Sequence, residues 1–526
     1  MSRDNNNTMS LHLLKTKKTL IIILTVAVFG VFITVTSYKL THASLWYDEA
    51  VEYWYSKILI GPLPYAGGST NMYQRINSTF QPPLYNAIMH MWLLLGSSEL
   101  WFRLSGVLIG FIGMIGIFKS IHLATQNKVV ACIAVLFCSF TYRLCYYWQE
   151  CAEYCLMLSS LMWVIYFCIR LIINLSISNI ILFTIFAIIP VYSQYGAIFP
   201  VFGLLASAFV YIMFQKDKKA KIAVIVSYLC ALLFAAFPLW FFFLRIQMAN
   251  QIVQDKSWVP SLFRMKASGK FFDFWYGLKE VFYWNFSDNF GDVNIPSTLV
   301  IILFLMLFVL IKGKRLISKL LIWSCIVSWS AYYLAVEFGL YSYGHFGNRY
   351  GLCFLPLWIV VIVVCVYELC SLVKDKNYNV AATCLASIII GFLVIMCIQE
   401  WMFKIEPNWE KENNRGVVAA WTREVLNNNL VTMVYHLSGA GFSYYTRDLD
   451  STEKVIYLDY TGETKEQAYE KMSLMINNNW PDEFYLAATH CFNDYYVLLD
   501  MFSEQGYNEK VIFSDYGQLV YLDKYR

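Results

Sequence analysis

Residues 19–38 read TLIIILTVAVFGVFITVTSY, and just beyond them residues 44–50 read SLWYDEA. The first run has the length of a helix that crosses a bilayer, about 20 apolar residues. Lys15, Lys17 and Lys18 precede it, and such clusters mark the cytoplasmic side of a span. A basic start and an apolar run also suit a secretory leader. No small-residue cleavage site clearly follows, so the expectation is a retained anchor with its N-terminus inside. The second run then puts two adjacent carboxylates, Asp48 and Glu49, among aromatic residues near the outer leaflet. An acid with little water around it suits a general base; the plainer reading is a pair that ends the span in water. Adjacent positions on a helix point about 100° apart, so the two acids are expected to have different tasks.

The rest of the chain has the same character. Of its 526 residues, 58% are hydrophobic and 14% charged, against roughly a quarter charged in an ordinary soluble domain. Mean hydropathy is +0.50. These figures exclude a soluble globular enzyme, a disordered chain and a nucleic-acid binder, and they require many segments in lipid. The net charge of +4 is divided unevenly: residues 401–526 hold 19 acidic and 11 basic side chains, a net of −8, which leaves +12 for residues 1–400. The basic excess lies in short clusters such as Lys216, Lys218, Lys219 and Lys221, or Lys312, Lys314, Arg315 and Lys319. Each flanks an apolar run, as cytoplasmic loops do. Of 14 cysteines, 13 fall between Cys132 and Cys397, and Cys491 stands alone in the tail. No CxxC pair or metal-ligand spacing occurs, so they read as small packing residues.

Further apolar runs near 100–118, 129–142, 153–170, 178–191, 195–214, 222–243, 296–311, 320–336, 350–372 and 379–398 bring the expected spans to about eleven. With the N-terminus inside, alternation puts every Lys-rich loop in the cytoplasm and the tail outside. The expected architecture is therefore a mainly α, polytopic membrane protein of the plasma or cytoplasmic membrane. Residues 1–18 form a cytoplasmic segment. Residues 19–400 form a transmembrane domain with long outer loops near 39–99 and 244–295, both carrying short surface helices. Residues 401–526 form a small extracytoplasmic α/β domain. In that tail, 431–436, 454–458, 483–488 and 510–513 read as strands, and 412–427 and 465–475 as helices. The closing stretch VIFSDYGQLVYLD reads as a hairpin that turns at Asp515, Tyr516 and Gly517.

Four more polar clusters emerge at outer span ends under this topology. FQPPLY at 80–85 fixes the backbone with paired prolines. GSSELWFR at 96–103 spaces Glu99 and Arg103 to pair on one helix face. QECAEY at 149–154, followed by SQY at 193–195, brings Glu150, Tyr154, Gln194 and Tyr195 to the same side. Acids near membrane depth cost about 2.5–3.5 kcal/mol each at the bilayer centre and less toward the interface, which favours a polar cavity over lipid. GHFGNRY at 344–350 supplies His345, Arg349 and Tyr350. An arginine on the outer side runs against the positive-inside bias; a bound anion would explain it, and so would snorkelling at the interface. Outward acids together with an outward cation suit group transfer from a lipid-borne phosphate donor.

In order and spacing, these clusters resemble the polytopic membrane glycosyltransferases of fold C. That superfamily uses polyprenyl-phosphate sugars and includes protein mannosyltransferases and the aminoarabinose transferases of lipid A. The shared set is the Asp48–Glu49 pair, Pro82 to Tyr85, Gly96, Ser98, Glu99 and Arg103, the stretch from Gln149 to Tyr154, and Arg349–Tyr350 followed by Leu355 and Pro356. The resemblance spans about 19–370, with a looser likeness in the tail. It implies Asp48 as the base that deprotonates an acceptor hydroxyl, Glu49 as the residue that orients Asp48 or the sugar, and inversion at the sugar in one displacement. Arg349 would hold the leaving polyprenyl phosphate, and Tyr85, Glu150 and Tyr154 would line the cavity. Arg103, Gln194, Tyr195, His345 and Tyr350 complete the expected substrate contacts.

There are departures. The superfamily's usual arginine in the fourth motif falls on Ala152, Phe80 and Gln81 stand where one branch has Glu-Lys, and Gln194 stands where many members have histidine. These losses argue against copying a metal site, so a divalent metal is not supported by the sequence and no cofactor is certain. The expected partners are a polyprenyl-phosphate sugar, membrane lipids and a lipid, polysaccharide or protein acceptor, with no nucleic acid. The rival expectation is a transporter or flippase for a lipid-linked glycan, with the acids serving ion coupling.

Overall fold

The computed structural model describes residues 2–254, 295–338, 340–341, 349, 351–374, 411–428, 430–449, 454–458, 465–475, 480–491 and 493–524. Two compact units are present. One contains Met1–Tyr38, Ile76–Tyr85 and Leu104–Phe403; the other contains Lys39–Arg75, Asn86–Arg103 and Lys404–Arg526.

The first unit is helical. Among the described residues, seven helices are long and apolar enough to cross a membrane: Lys18–Ser37, Glu99–Thr125, Tyr154–Ile173, Tyr195–Phe214, Lys218–Asn250, Leu316–Val336 and Leu352–Leu372. They coincide with seven of the eleven runs read from hydropathy. The run at 129–142 is instead a pair of helices, Lys128–Phe140 and Tyr142–Gln149, bent by 66°. The break falls at Thr141, whose backbone is extended. The runs at 178–191 and 296–311 form the shorter apolar helices Ile177–Ser193 and Val300–Lys312. The run at 379–398 lies outside the described residues.

Local sequence explains several boundaries. Asn127, Ser176 and Asp217 each accept a backbone N–H from the first turn of the helix that follows, the usual work of an N-cap. Hydropathy alone misplaces some boundaries. The Lys218–Asn250 helix continues past the apolar run, because polar residues beyond it find partners. Gln247 donates to the carbonyls of Ile76 (3.0 Å) and Gln81 (2.6 Å), and Asn250 to that of Asn77 (2.8 Å).

Close helix packing positions the fourth motif. A Cβ on Gly106 would meet the Trp148 carbonyl oxygen at 2.5 Å, and one on Gly110 would meet the Trp148 indole at 2.7 Å. Glycine at these two positions lets helix Glu99–Thr125 press against Trp148, which is fully buried and donates to Ser159 Oγ at 3.1 Å. The next residue, Gln149, donates to the carbonyls of Thr36 (2.7 Å) and Tyr38 (3.0 Å) at the end of the first apolar helix.

The second unit joins the first long loop to the tail. The loop forms helix Tyr47–Lys57 and a hairpin of β1 (Ile60–Leu63) and β2 (Ala66–Asn71). The tail contributes β3 (Val431–Val434), β4 (Val455–Tyr457), β5 (Glu483–Ala488), β6 (Tyr507–Ser514) and β7 (Gln518–Lys524), in spatial order β4-β3-β5-β7-β6. β3 runs parallel to β4 and β5, whereas β7 is antiparallel to β5 and β6. Alternate residues of β5 serve opposite cores. Phe484, Leu486 and Ala488 pack with Met433, Tyr495 and Phe502, while Tyr485 and Ala487 pack with Val417, Trp421 and Phe442. This is the burial pattern of a central strand covered on both faces.

The last two strands turn at Asp515, Tyr516 and Gly517, as the sequence suggests, with Tyr516 at φ +48°. Two tail helices carry no such signal in the sequence reading: Gly439–Thr446, which is built of small and aromatic residues, and Asn493–Glu504.

Candidate active site

Helix Tyr47–Lys57 carries three acids, and the fold treats each differently. Asp48 and Glu49 lie in its first turn, where the positive end of the helix dipole favours negative charge. Glu49 is 2% exposed. Its two oxygens accept from Arg103 Nε (3.1 Å) and Arg103 Nη2 (2.7 Å), a two-point fork that fixes both side chains. Glu52, one turn on, is 5% exposed and accepts from Asn86 Nδ2 at 2.7 Å. Asp48 is half-buried, the most accessible of the three.

Arg103 is a hub for the loop that leads into this helix. Besides Glu49 it binds Glu99 (2.8 Å) and the carbonyls of Leu40 (3.0 Å), Ala43 (2.7 Å) and Ser44 (3.1 Å). Glu99 and Arg103 thus form the expected four-apart pair, with Glu49 as a third member. Glu99 also takes Arg415 (3.1 Å) and the Tyr445 hydroxyl (2.8 Å) from the tail. The same hydroxyl accepts the Leu45 N–H at 2.8 Å. Burial pushes the Tyr445 phenol well up, and the Glu99 charge adds to this, so it remains a donor. At Arg415, burial pulls the guanidinium down, but Glu99 and Tyr445 outweigh it and the net shift is upward.

A second tail clamp seizes Ser44 to Tyr47 from the other side. Glu412, 1% exposed, accepts the Tyr47 N–H at 3.1 Å and Asn414 Nδ2 at 3.2 Å, and it contacts His490 Nδ1. The Glu412 carbonyl accepts Ser44 Oγ at 2.6 Å, and Asn414 donates to the Leu45 carbonyl at 2.9 Å. The His490 ring stacks on Tyr47, with centroids 5.3 Å apart. The Tyr47 phenol is pushed up chiefly by burial, with Tyr55, Asp48 and Glu412 adding to it. Glu412, Asn414, Arg415, Tyr445 and His490 were not anticipated from the sequence. They lie more than 300 residues from the segment they hold, and no local pattern marks them.

The first unit holds the other expected residues. The Arg349 guanidinium lies 5.9 Å from the centre of the Tyr154 ring, at the outer limit of a cation–π contact. Glu150 and Arg349 are both within electrostatic reach of the Tyr146 hydroxyl, and Tyr147 packs on Tyr154 at 5.0 Å. Glu150, Tyr154 and Arg349 therefore share one neighbourhood, rich in phenols. Gln194 accepts the Gly196 N–H, while Tyr195 donates to Gln247 Oε1 at 2.7 Å and packs on Phe80. Tyr85 is fully buried. His345 and Tyr350 lie outside the described residues. Among the described residues, no group of three or more His, Cys, Asp or Glu is placed to hold a metal ion.

No protein-family model matches the chain, and no curated protein matches it in sequence. Among solved structures it is similar to the crystal structure of the Archaeoglobus fulgidus oligosaccharyltransferase in complex with Zn and sulfate. The TM-score is 0.52 at 13% identity, over 94% of this chain and 72% of that one. The apo form of the same protein gives 0.50 at 12% identity, over 94% and 74%. At such identities the likeness is one of fold alone.

Proposed function

We propose that this chain is an integral, multi-pass membrane glycosyltransferase. It moves a sugar from a polyprenyl-phosphate-linked donor to an acceptor hydroxyl on the outer face of the membrane, where the tail also lies. The observation that carries the reading is the fold likeness to an oligosaccharyltransferase over 94% of the chain. The ordered acids and arginine of the sequence supply the chemistry.

In this mechanism Asp48 takes the acceptor proton. The acceptor oxygen forms a bond to the anomeric carbon from the face opposite the phosphate. The bond between that carbon and the phosphate oxygen breaks, and the electron pair leaves with polyprenyl phosphate. Arg349 stabilises the charge that develops on the leaving group. Glu49, held by Arg103, orients the helix that presents Asp48. Tyr85, Glu150, Tyr154, Gln194, Tyr195, His345 and Tyr350 surround the donor.

The test is transfer from a panel of polyprenyl-phosphate sugars by purified Asp48→Asn. A positioned base contributes about 10²–10⁴-fold, so transfer should fall by that factor while expression and folding are unchanged. Transfer at the wild-type rate would remove Asp48 from the role of base. Loss of lipid movement with no transfer activity in the parent protein would favour a transporter.

A further inference from the structure

The tail contains a polar hollow of about 370 Å³ that the transfer mechanism does not use, lined by Lys411, His490, Tyr496, Ser514, Tyr516 and Gln518 among others. Its size falls within the roughly 300–1,000 Å³ of small-molecule sites, where a few convergent polar groups set specificity. Its chemistry is an ammonium, an imidazole, an amide, a hydroxyl, a thiol and two phenols, with no carboxylate among the described lining residues. Tyr496 and Tyr516 are 54% and 53% exposed. Large rings with a polar edge, standing in solvent at the mouth of a polar hollow, can meet the C–H face of a sugar while their hydroxyls bond its rim.

The walls are held in place. The Lys411 ammonium sits 3.4 Å from the centre of the Trp46 ring, which fixes the charge through a cation–π contact. Gln518 accepts from Tyr495 at 2.7 Å. His490 is braced by buried Glu412 and by the face of Tyr47. Tyr516 is set in place by the β6–β7 turn, where its φ is +48°. Through His490 the hollow shares a wall with Tyr47, the residue before Asp48.

We propose that this hollow binds a sugar residue carrying an acidic group, with its carboxylate or phosphate on Lys411 and its ring against Tyr516, and that this residue anchors the acceptor beside the Asp48 helix. The acceptor role rests on the glycosyl-transfer reading; the binding itself does not. The test therefore uses full-length protein in detergent without donor. It is titrated with methyl glucuronide, glucose 6-phosphate, neutral methyl glucoside and inorganic phosphate, and followed by saturation-transfer NMR and calorimetry. At least one acidic sugar should bind more tightly than the glucoside and than inorganic phosphate, and which one binds identifies the acid. Lys411→Gln should weaken it about tenfold, the loss of one charge-assisted contact. Lys510→Gln, on an exposed strand position, should leave it unchanged. Equal binding of acidic and neutral sugars, binding of inorganic phosphate as tight as that of glucose 6-phosphate, or an unaltered Lys411→Gln variant would overturn the proposal. Because Asp48→Asn is read by transfer and Lys411→Gln by binding, either idea can fail without the other.

Discussion

Around Asp48, charges of opposite sign are locked onto one another. Arg103 forks onto Glu49 and reaches Glu99, while Glu99 also takes Arg415 and Tyr445; Arg103 and Glu49 are buried, and Glu99, Arg415 and Tyr445 are half-buried. Around Arg349 the setting differs: a half-buried guanidinium over the Tyr154 ring, with Tyr146 and Glu150 nearby. The contrast separates two uses of arginine. A guanidinium surrounded by carboxylates and carbonyls in a dry interior holds chain segments in register, and its cost of burial is offset only while all partners stay. A half-buried guanidinium beside an aromatic face is placed where a phosphate can also reach it. The sequence already sets Arg103 four residues from Glu99 and gives Arg349 no such neighbour.

Substitutions can break this comparison. The largest effect is expected from Arg103→Met, which strands Glu49 in the interior and takes one of its partners from Glu99. Removing one partner of a buried pair costs about 3–5 kcal/mol, read as a lower unfolding midpoint in detergent together with loss of transfer. An unchanged midpoint would mean that Arg103 does not hold the fold. Next is Arg349→Gln, expected to leave the midpoint unaltered while slowing transfer about 10²–10³-fold, the scale of one lost charge-stabilising group. Combined with Asp48→Asn it should slow transfer little beyond the worse single variant, because groups that act on one transition state are not additive. Simple multiplication of the two losses would separate them. The smallest effect is expected from Tyr445→Phe, which deletes the hydroxyl bridging Leu45 and Glu99. A hydrogen bond to a charged group is worth about 1.5–3 kcal/mol, so a modest drop in midpoint should accompany a smaller loss of transfer than with Arg103→Met.

Much of the architecture was legible in the sequence, and unevenly so. Seven apolar runs became membrane-length helices because their signal is additive over about 20 residues and needs no partner. The tail strands at 431–434 and 483–488 were legible because their residues are apolar on both faces. The bend at Thr141 was not, since nothing in VLFCSFTYRL breaks helical hydropathy. Nor was helix Gly439–Thr446, whose glycines argue against a helix until burial overrides propensity. In the site, the spacing of Glu99 and Arg103 predicted their pair, but not that Glu49 would join it.

The sequence by itself determined a chain that needs lipid, two adjacent acids after the first apolar run, and the i to i+4 partners along one helix. Each of these follows from local period or summed transfer free energy, which neighbouring residues set among themselves. Only the tertiary structure decided that Glu49 is buried on Arg103 while Asp48 is half-buried. It also decided that Glu412, Tyr445 and His490 hold the Asp48 turn from more than 300 residues away. A buried charge chooses its partner by what lies within about 3 Å once the chain has closed, and that distance is a property of the path, not of the order of residues.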